Sequence, residues 1–256
     1  MGRLMIFNFI LIVIIAVGLW LVKKYVKKDG TKNVILAIAA IVTILFHYSS
    51  FAFRLLLGDH AIAYLNENPN LILPIYPCNV VMWSALIFAF LKDKRSRVGS
   101  FFADYLFWFG IVSTLVGMFA NVDFIKNPTL ADYENIKSIG AHATLLFNVL
   151  LIRFFGYVKT DVKRNMKSIV ISIFVMAVIG GYCNLVFRTL VSEEMAYEVN
   201  SMFLIHSPFE EVAFLTYPVI ALIAVPIYFT VFVICDRCAN KKVGHLDNKL
   251  KQEEFH

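Results

Sequence analysis

The sequence predicts an all-α fold, a polytopic membrane bundle of about seven transmembrane helices, and three observations carry that expectation. Hydrophobic residues make up 59% of the 256 and charged residues only 16%, against roughly 45–50% and 25% in soluble domains. Mean hydropathy is +0.72. The apolar residues fall into runs of about 20, the length that crosses about 30 Å of hydrocarbon, separated by short charged connections. One such bundle uses the whole chain as a single transmembrane domain over residues 1–256, ending in a short cytoplasmic tail at 236–256.

In order, the first span covers residues 4–22 and is followed by Lys23, Lys24, Lys27, Lys28 and Lys32. A secretory signal carries its charge in front and a small-residue cleavage site behind, so this segment is expected to remain as a helix. The second span, 34–57, holds an unusual polar load in His47, Tyr48, Ser49, Ser50 and Arg54. The third, 71–91, ends at KDKRSR; the fourth, 98–120, contains Asp104; the fifth, 139–158, carries His142, Asn148 and Arg153. The sixth, 168–187, has Gly180-Gly181 and then Tyr182, Cys183 and Asn184 near its end. The seventh, 213–235, contains Pro218 and Pro226, which predict kinks.

The basic residues orient this map. Eighteen of the 24 lysines and arginines lie after spans one, three and five or in the tail, and cytoplasmic loops are enriched in such residues. The expected topology is therefore N-terminus outside and C-terminus cytoplasmic, in the cell membrane as a multi-pass protein. The net charge of +6 reads as membrane orientation with attraction to anionic lipid, and no nucleic-acid partner is expected. Four scattered cysteines give neither a disulfide framework nor paired zinc spacing. Cys235 and Cys238, in CDRC with His245 beyond, read as cytosolic thiols or an acylation site at the membrane edge. His60 and His256 are expected in a loop and the tail without a role.

The third span is the unusual one. LILPIYPCNVVMWSALIFAFL carries Pro74, Pro77, Cys78 and Asn79 within six residues. Lipid offers no water to backbone groups that proline frees, so Leu71 to Tyr76 must lean on neighbouring helices or line a wet cavity. A regular helix can start at Pro77, where the missing N–H costs nothing. That puts Cys78 in the first turn, where the positive end of the helix dipole favours thiolate.

At about 1.5 Å per residue Cys78 lies roughly 10 Å below the outer boundary. His142, three residues into span five, together with Asn184, Asn200 and His206, falls in the same outer half, with His47 nearer the middle. A thiol and an imidazole at matching depth are the minimum for nucleophilic catalysis, and an asparagine or second histidine could orient the base or bind an oxyanion. The competing readings are a small buried hydrophobe for Cys78 and a packing histidine for His142. Asn79, Asn200, Asn184, His206 and His47 are the candidate oxyanion or substrate-binding residues. Arg54 either snorkels to a lipid phosphate or fixes an anionic headgroup. Asp104 and Arg153 are expected to form a structural ion pair.

LPIYPCNV around Cys78 and NSMFLIHSP at Asn200 to Pro208 resemble the YwaF family of bacterial integral membrane proteins, related to transmembrane protein 164. The likeness rests on Leu73, Pro74 and Cys78, then His142, then Asn200, Met202, Phe203, Leu204 and Pro208, in that order, and runs from about 34 to 235. Two positions depart from the family pattern: Tyr76 stands where a histidine is usual, and Ser201 where a tyrosine is usual. The resemblance implies a lipid acyltransferase that moves a fatty acyl chain from a phospholipid through a cysteine thioester. Cys78 would be the nucleophile and His142 the base, with phospholipid and lysophospholipid as substrates and no metal or cofactor. A lipid hydrolase, a small-solute transporter and a non-enzymatic assembly protein are the alternatives the residues leave open. The transporter would place its binding site at a broken helix between two related halves, and the sequence shows no internal repeat.

Overall fold

The computed structural model describes residues 2–58, 64–65, 68–119, 129–207 and 212–253, with only the backbone of 2–4 and 239–253. His60, Pro208 and His256, and the side chain of His245, lie outside the described residues. Eight α-helices appear among them: α1 Gly2–Tyr25, α2 Asp29–Leu56, α3 Pro77–Phe90, α4 Arg97–Phe119, α5 Tyr133–Phe154, α6 Val162–Leu190, α7 Glu193–Val199 and α8 Tyr217–Glu253. Short 3-10 turns stand at Pro69–Leu71 and Ser201–Phe203.

Six of these helices, α1, α2, α4, α5, α6 and the first 22 residues of α8, are long and apolar enough to cross a membrane. Of the seven expected spans, the third is the one that lacks a full-length helix among the described residues. There the helix is α3 alone, 14 residues, about 21 Å at 1.5 Å per residue and short of the hydrocarbon. Residues 72–76 before it are not helical, because two prolines remove donors and fix φ in quick succession. The helix starts at Pro77, as the sequence predicts.

Helix α5 is the centre of the bundle and touches α1, α2, α3 and α4. Its contacts set the register. Gly110 of α4 lets Val81 of α3 and Val149 of α5 meet, for a Cβ there would lie 3.1 and 3.0 Å from their methyls. Gly117, two turns on, lies against the His142 ring. On the other faces Thr43 of α2 donates to Thr144 of α5 at 3.1 Å, and Asn8 of α1 donates to the Met118 carbonyl at 2.5 Å. At the lysine-rich end Tyr157 joins the finish of α3 to the start of α2, packing on Phe88 and donating to Asn33. Helices α6 and α8 pair with each other, and α6 also packs on α4.

Several boundaries differ from those read in the sequence, each through a cap. Asp132 accepts from Glu134 N and starts α5 six residues early; Asp161 accepts from Arg164 N and does the same for α6. The second shift changes an ion pair. Asp104, fully buried, binds Arg164 at 2.8 Å, not Arg153. With α6 starting at Val162, Arg164 stands in its first turn within reach of the carboxylate. Arg153, exposed in the last turn of α5, donates instead to the Val158 carbonyl and Thr160. Pro218 falls in the first turn of α8, where it displaces no bond, and Pro226 lies inside that helix.

Two devices hold α3 between its neighbours. Lys94, buried in the loop after it, donates to the carbonyls of Ala89 and Leu91 at 2.8 and 3.0 Å, closing the helix C-terminus with a cation. Burial pushes this ammonium below the usual lysine range. Gly180 on α6 leaves room for Met202, since a Cβ there would come within 2.6 Å of the Met202 side chain. Lys94→Met is expected to cost about 1–3 kcal/mol, since two carbonyls lose a charged donor, read as a lower melting temperature in detergent. Gly180→Ala is expected to cost a similar amount through overpacking. It should also increase proteolytic cutting between Asn200 and Phe203, which Lys94→Met should leave unchanged.

Candidate functional site

The site is built on the broken stretch before α3. Tyr76, which precedes proline, is held extended at φ −114°, ψ 153° and serves as the N-cap. A serine or aspartate there would accept an amide of the first turn; a tyrosine ring does not reach back that way. The cap is half made from the other side, where Asn79 Oδ1 accepts from Tyr76 N at 3.1 Å. Asn79 N donates to the Tyr76 carbonyl. Among the described residues the Cys78 amide finds no backbone acceptor. The cysteine is half-buried. Sequence and local structure thus leave one amide next to the thiol without a backbone partner.

A second segment locks this stretch in place. After α6 and α7 the chain turns back into the bundle through Asn200 to Leu204. Met202 N donates to the Ile75 carbonyl at 2.9 Å and the Ser201 hydroxyl donates to the same oxygen at 3.0 Å. Asn184, on α6, grips Ser201 on both sides, its Oδ1 accepting from Ser201 N at 2.8 Å and its Nδ2 donating to Ser201 O at 3.3 Å. Asn200 sits in the left-handed region, as do Met202 and Phe203. Its carboxamide closes the turn by accepting from Ile205 N and donating to the His206 carbonyl. His206 in turn lies against the Ser207 and Tyr197 carbonyls through its two ring nitrogens. The Phe203 and Tyr76 rings pack 6.2 Å apart, and Cys183 lies under Ser201 in the buried cluster with Ile75. The two sequence motifs therefore meet, but the carboxamides of Asn184 and Asn200 and the ring of His206 are engaged with the strap's own backbone. Asn79 likewise spends its oxygen on the cap.

His142 stands ten residues into α5. Its Nδ1 lies 2.7 Å from the Ser138 carbonyl, so the proton belongs there and Nε2 keeps its lone pair. The ring fills the space above Gly117, where a Cβ would come within 2.1 Å of it. Counted toward the helix N-termini from the rung at Gly110, Cys78 is three residues along α3 and His142 seven along α5, an axial offset of about 6 Å. No hydrogen bond joins them. His47, within electrostatic reach of His142 and Lys137, lies 3.3 Å from the Asn70 carbonyl; its neighbour Tyr48 donates to Leu71 O. Both brace the approach to the broken stretch.

The sequence did not single out the polar tie above these residues. Tyr64 donates to Glu134 at 2.8 Å, and Glu134 pairs with the nearly buried Lys137 at 2.5 Å. Glu134 and Lys137, three apart at the start of α5, are the signal that could have revealed it. Arg54, exposed near the end of α2, stacks on the Tyr64 ring at 4.5 Å. At the opposite end Cys235 is half-buried and Cys238 exposed. Among the described residues no group of three His, Cys, Asp or Glu could hold a metal ion.

No curated protein and no solved structure matches this chain. A family model does, and it spans residues 2–236, which include α1 to α7, both motifs and the apolar part of α8. The chain is a membrane protein that belongs to the TMEM164 family.

Proposed function

We propose that the protein is a thiol-dependent acyltransferase of the cell membrane, which takes a fatty acyl chain from a phospholipid onto Cys78 and passes it to a second lipid alcohol. The observation that carries the reading is the setting of Cys78. It is the second residue of a helix that begins within the bundle after a proline-broken stretch, and it is half-buried with its own amide lacking a backbone acceptor among the described residues. Family membership adds a lipid-related membrane role. Residues 72–76 and α3 together make the seventh crossing in this reading. The lysine-rich end is cytoplasmic, the N-terminus lies outside, and Cys78 opens below the outer leaflet.

The chemistry follows from the groups present. Sulfur attacks the ester carbonyl, forming a C–S bond, and the amide of Cys78 meets the oxyanion that develops. Collapse breaks the ester C–O bond and the lysolipid alcohol leaves with the proton the thiol gave up. His142 Nε2 carries that proton. The offset along the helix axes is about 6 Å, four helical residues, and in this reading the proton crosses on the substrate oxygen between the two groups. In the second half, the acceptor alcohol gives its proton to His142 and attacks the thioester; the C–S bond breaks and the sulfur recovers a proton. Water as acceptor would make the same site a hydrolase.

Incubating the purified protein with a deuterated-acyl phosphatidylcholine and a lysolipid tests this by intact mass and lipid analysis. The expected result is a hydroxylamine-labile acyl adduct on Cys78, with both adduct and product absent in Cys78→Ala while its helicity and melting temperature stay near wild type. Turnover in Cys78→Ala at the wild-type rate would remove the mechanism. His142→Ala should slow turnover about 100- to 10,000-fold, the usual range for loss of a general acid–base, without reducing iodoacetamide labelling of Cys78 by a similar factor.

A further inference from the structure

We infer that Ser201, held by Asn184, is a positioning residue for Cys78: it fixes the backbone three residues before the nucleophile and so sets where the sulfur stands. The inference rests on the reading of Cys78 as the nucleophile and assigns a task to residues that touch neither the sulfur nor a substrate. Pro77 has no N–H, so the chain ahead of α3 cannot tie itself down through that residue. The Ile75 carbonyl, on a residue 1% exposed, is left facing protein, and the only donors it finds among the described residues are Met202 N and the Ser201 hydroxyl. One is backbone and survives any substitution. The other is a side chain, and its direction is fixed because Asn184 holds the Ser201 peptide on both sides.

Between Ile75 and Cys78 the chain is stiff. Proline fixes φ at 77, the residue before proline is confined to extended backbone, and the Tyr76 amide is bonded to Asn79. A shift of the Ile75 peptide is therefore passed on to the first turn of α3 with little damping. The effect expected at a reactive centre is large for a small movement, since about 1 Å of misplacement can cost about 100-fold in rate. Ser201 itself is fully buried and flanked by Cys183 and Ile75. Its hydroxyl donates to the Ile75 carbonyl and faces protein, not lipid.

The test compares Ser201→Ala, Ser201→Thr and Asn184→Leu with wild type in the full-length protein, by initial rates of acyl transfer and by the rate of Cys78 alkylation with iodoacetamide at fixed pH. Removing the hydroxyl or its holder should lower kcat 10- to 100-fold and leave KM for the phospholipid within about twofold, and alkylation should slow by a similar factor. Ser201→Thr, which keeps the hydroxyl, should recover most of both rates; should its extra methyl prevent folding, Asn184→Asp, which keeps the acceptor for Ser201 N, takes its place. Wild-type kcat and alkylation in Ser201→Ala, or a rise in KM with kcat unchanged, would overturn the inference, the latter by showing that the strap binds lipid. Absence of an acyl adduct in the wild type would overturn the enzymatic reading instead, and the alkylation rates would still decide whether Ser201 positions the thiol.

Discussion

The structure depends on one buried carbonyl. Two prolines stop the third membrane segment from being a helix along its whole length, and the peptide oxygen they leave at Ile75 has no water to turn to. In lipid an unsatisfied peptide group costs several kcal/mol, so a segment broken in this way exists only where another part of the chain supplies donors. Here the donors come from residues 201 and 202, more than 120 positions away. That one acceptor explains why the chain between α6 and α8 turns back into the bundle instead of crossing its surface. It also explains why Gly180 is bare and why Cys183 and Ile75 share a small buried cluster apart from the main core.

The main core has a different logic and is more ordinary. Alpha5 runs through the middle and is covered on its other faces by α1, α2, α3 and α4, with glycines at 110, 117 and 140 each taking a neighbouring side chain close to backbone. Membrane helices gain little from hydrophobic association, because lipid tails are as apolar as the side chains, and such close approaches supply packing instead. The imidazole of His142 occupies one of these approaches. Its position is accordingly a consequence of Gly117 and of the early start that Asp132 gives to α5.

Much of this was legible in the residues. The 20-residue apolar periods gave the spanning helices, and the chemistry of proline gave the start of α3 at Pro77 and the irregular approach to it. What was not legible came from groups whose partners lie far off in sequence. Polar residues at the head of a membrane segment look like loop, as Glu134, Lys137 and Arg164 do; their aspartate caps, two to five residues earlier, draw them inside. That is why Asp104 found Arg164 in place of Arg153. An asparagine amide can serve a substrate or the backbone equally well. Nothing in their spacing shows that Asn184 and Asn200 would each turn to the backbone of the same strap.

The strap itself is the least comfortable part of the molecule, and magnitudes say why it persists. Asparagine tolerates the left-handed region, but Met202 and Phe203 at φ 55° and 57° cost of order 1–3 kcal/mol each. Releasing them would expose Met202, now fully buried, a loss of about 1.5–3 kcal/mol, and would leave the Ile75 oxygen without either donor at several kcal/mol more. The strained arrangement wins by the carbonyl, not by the side chain. A chain under no functional demand could have avoided both terms by carrying the third helix straight through the membrane with leucine in place of each proline. The local cost is met at the one place where a helix must begin within the bundle, and Cys78 is the second residue of that helix.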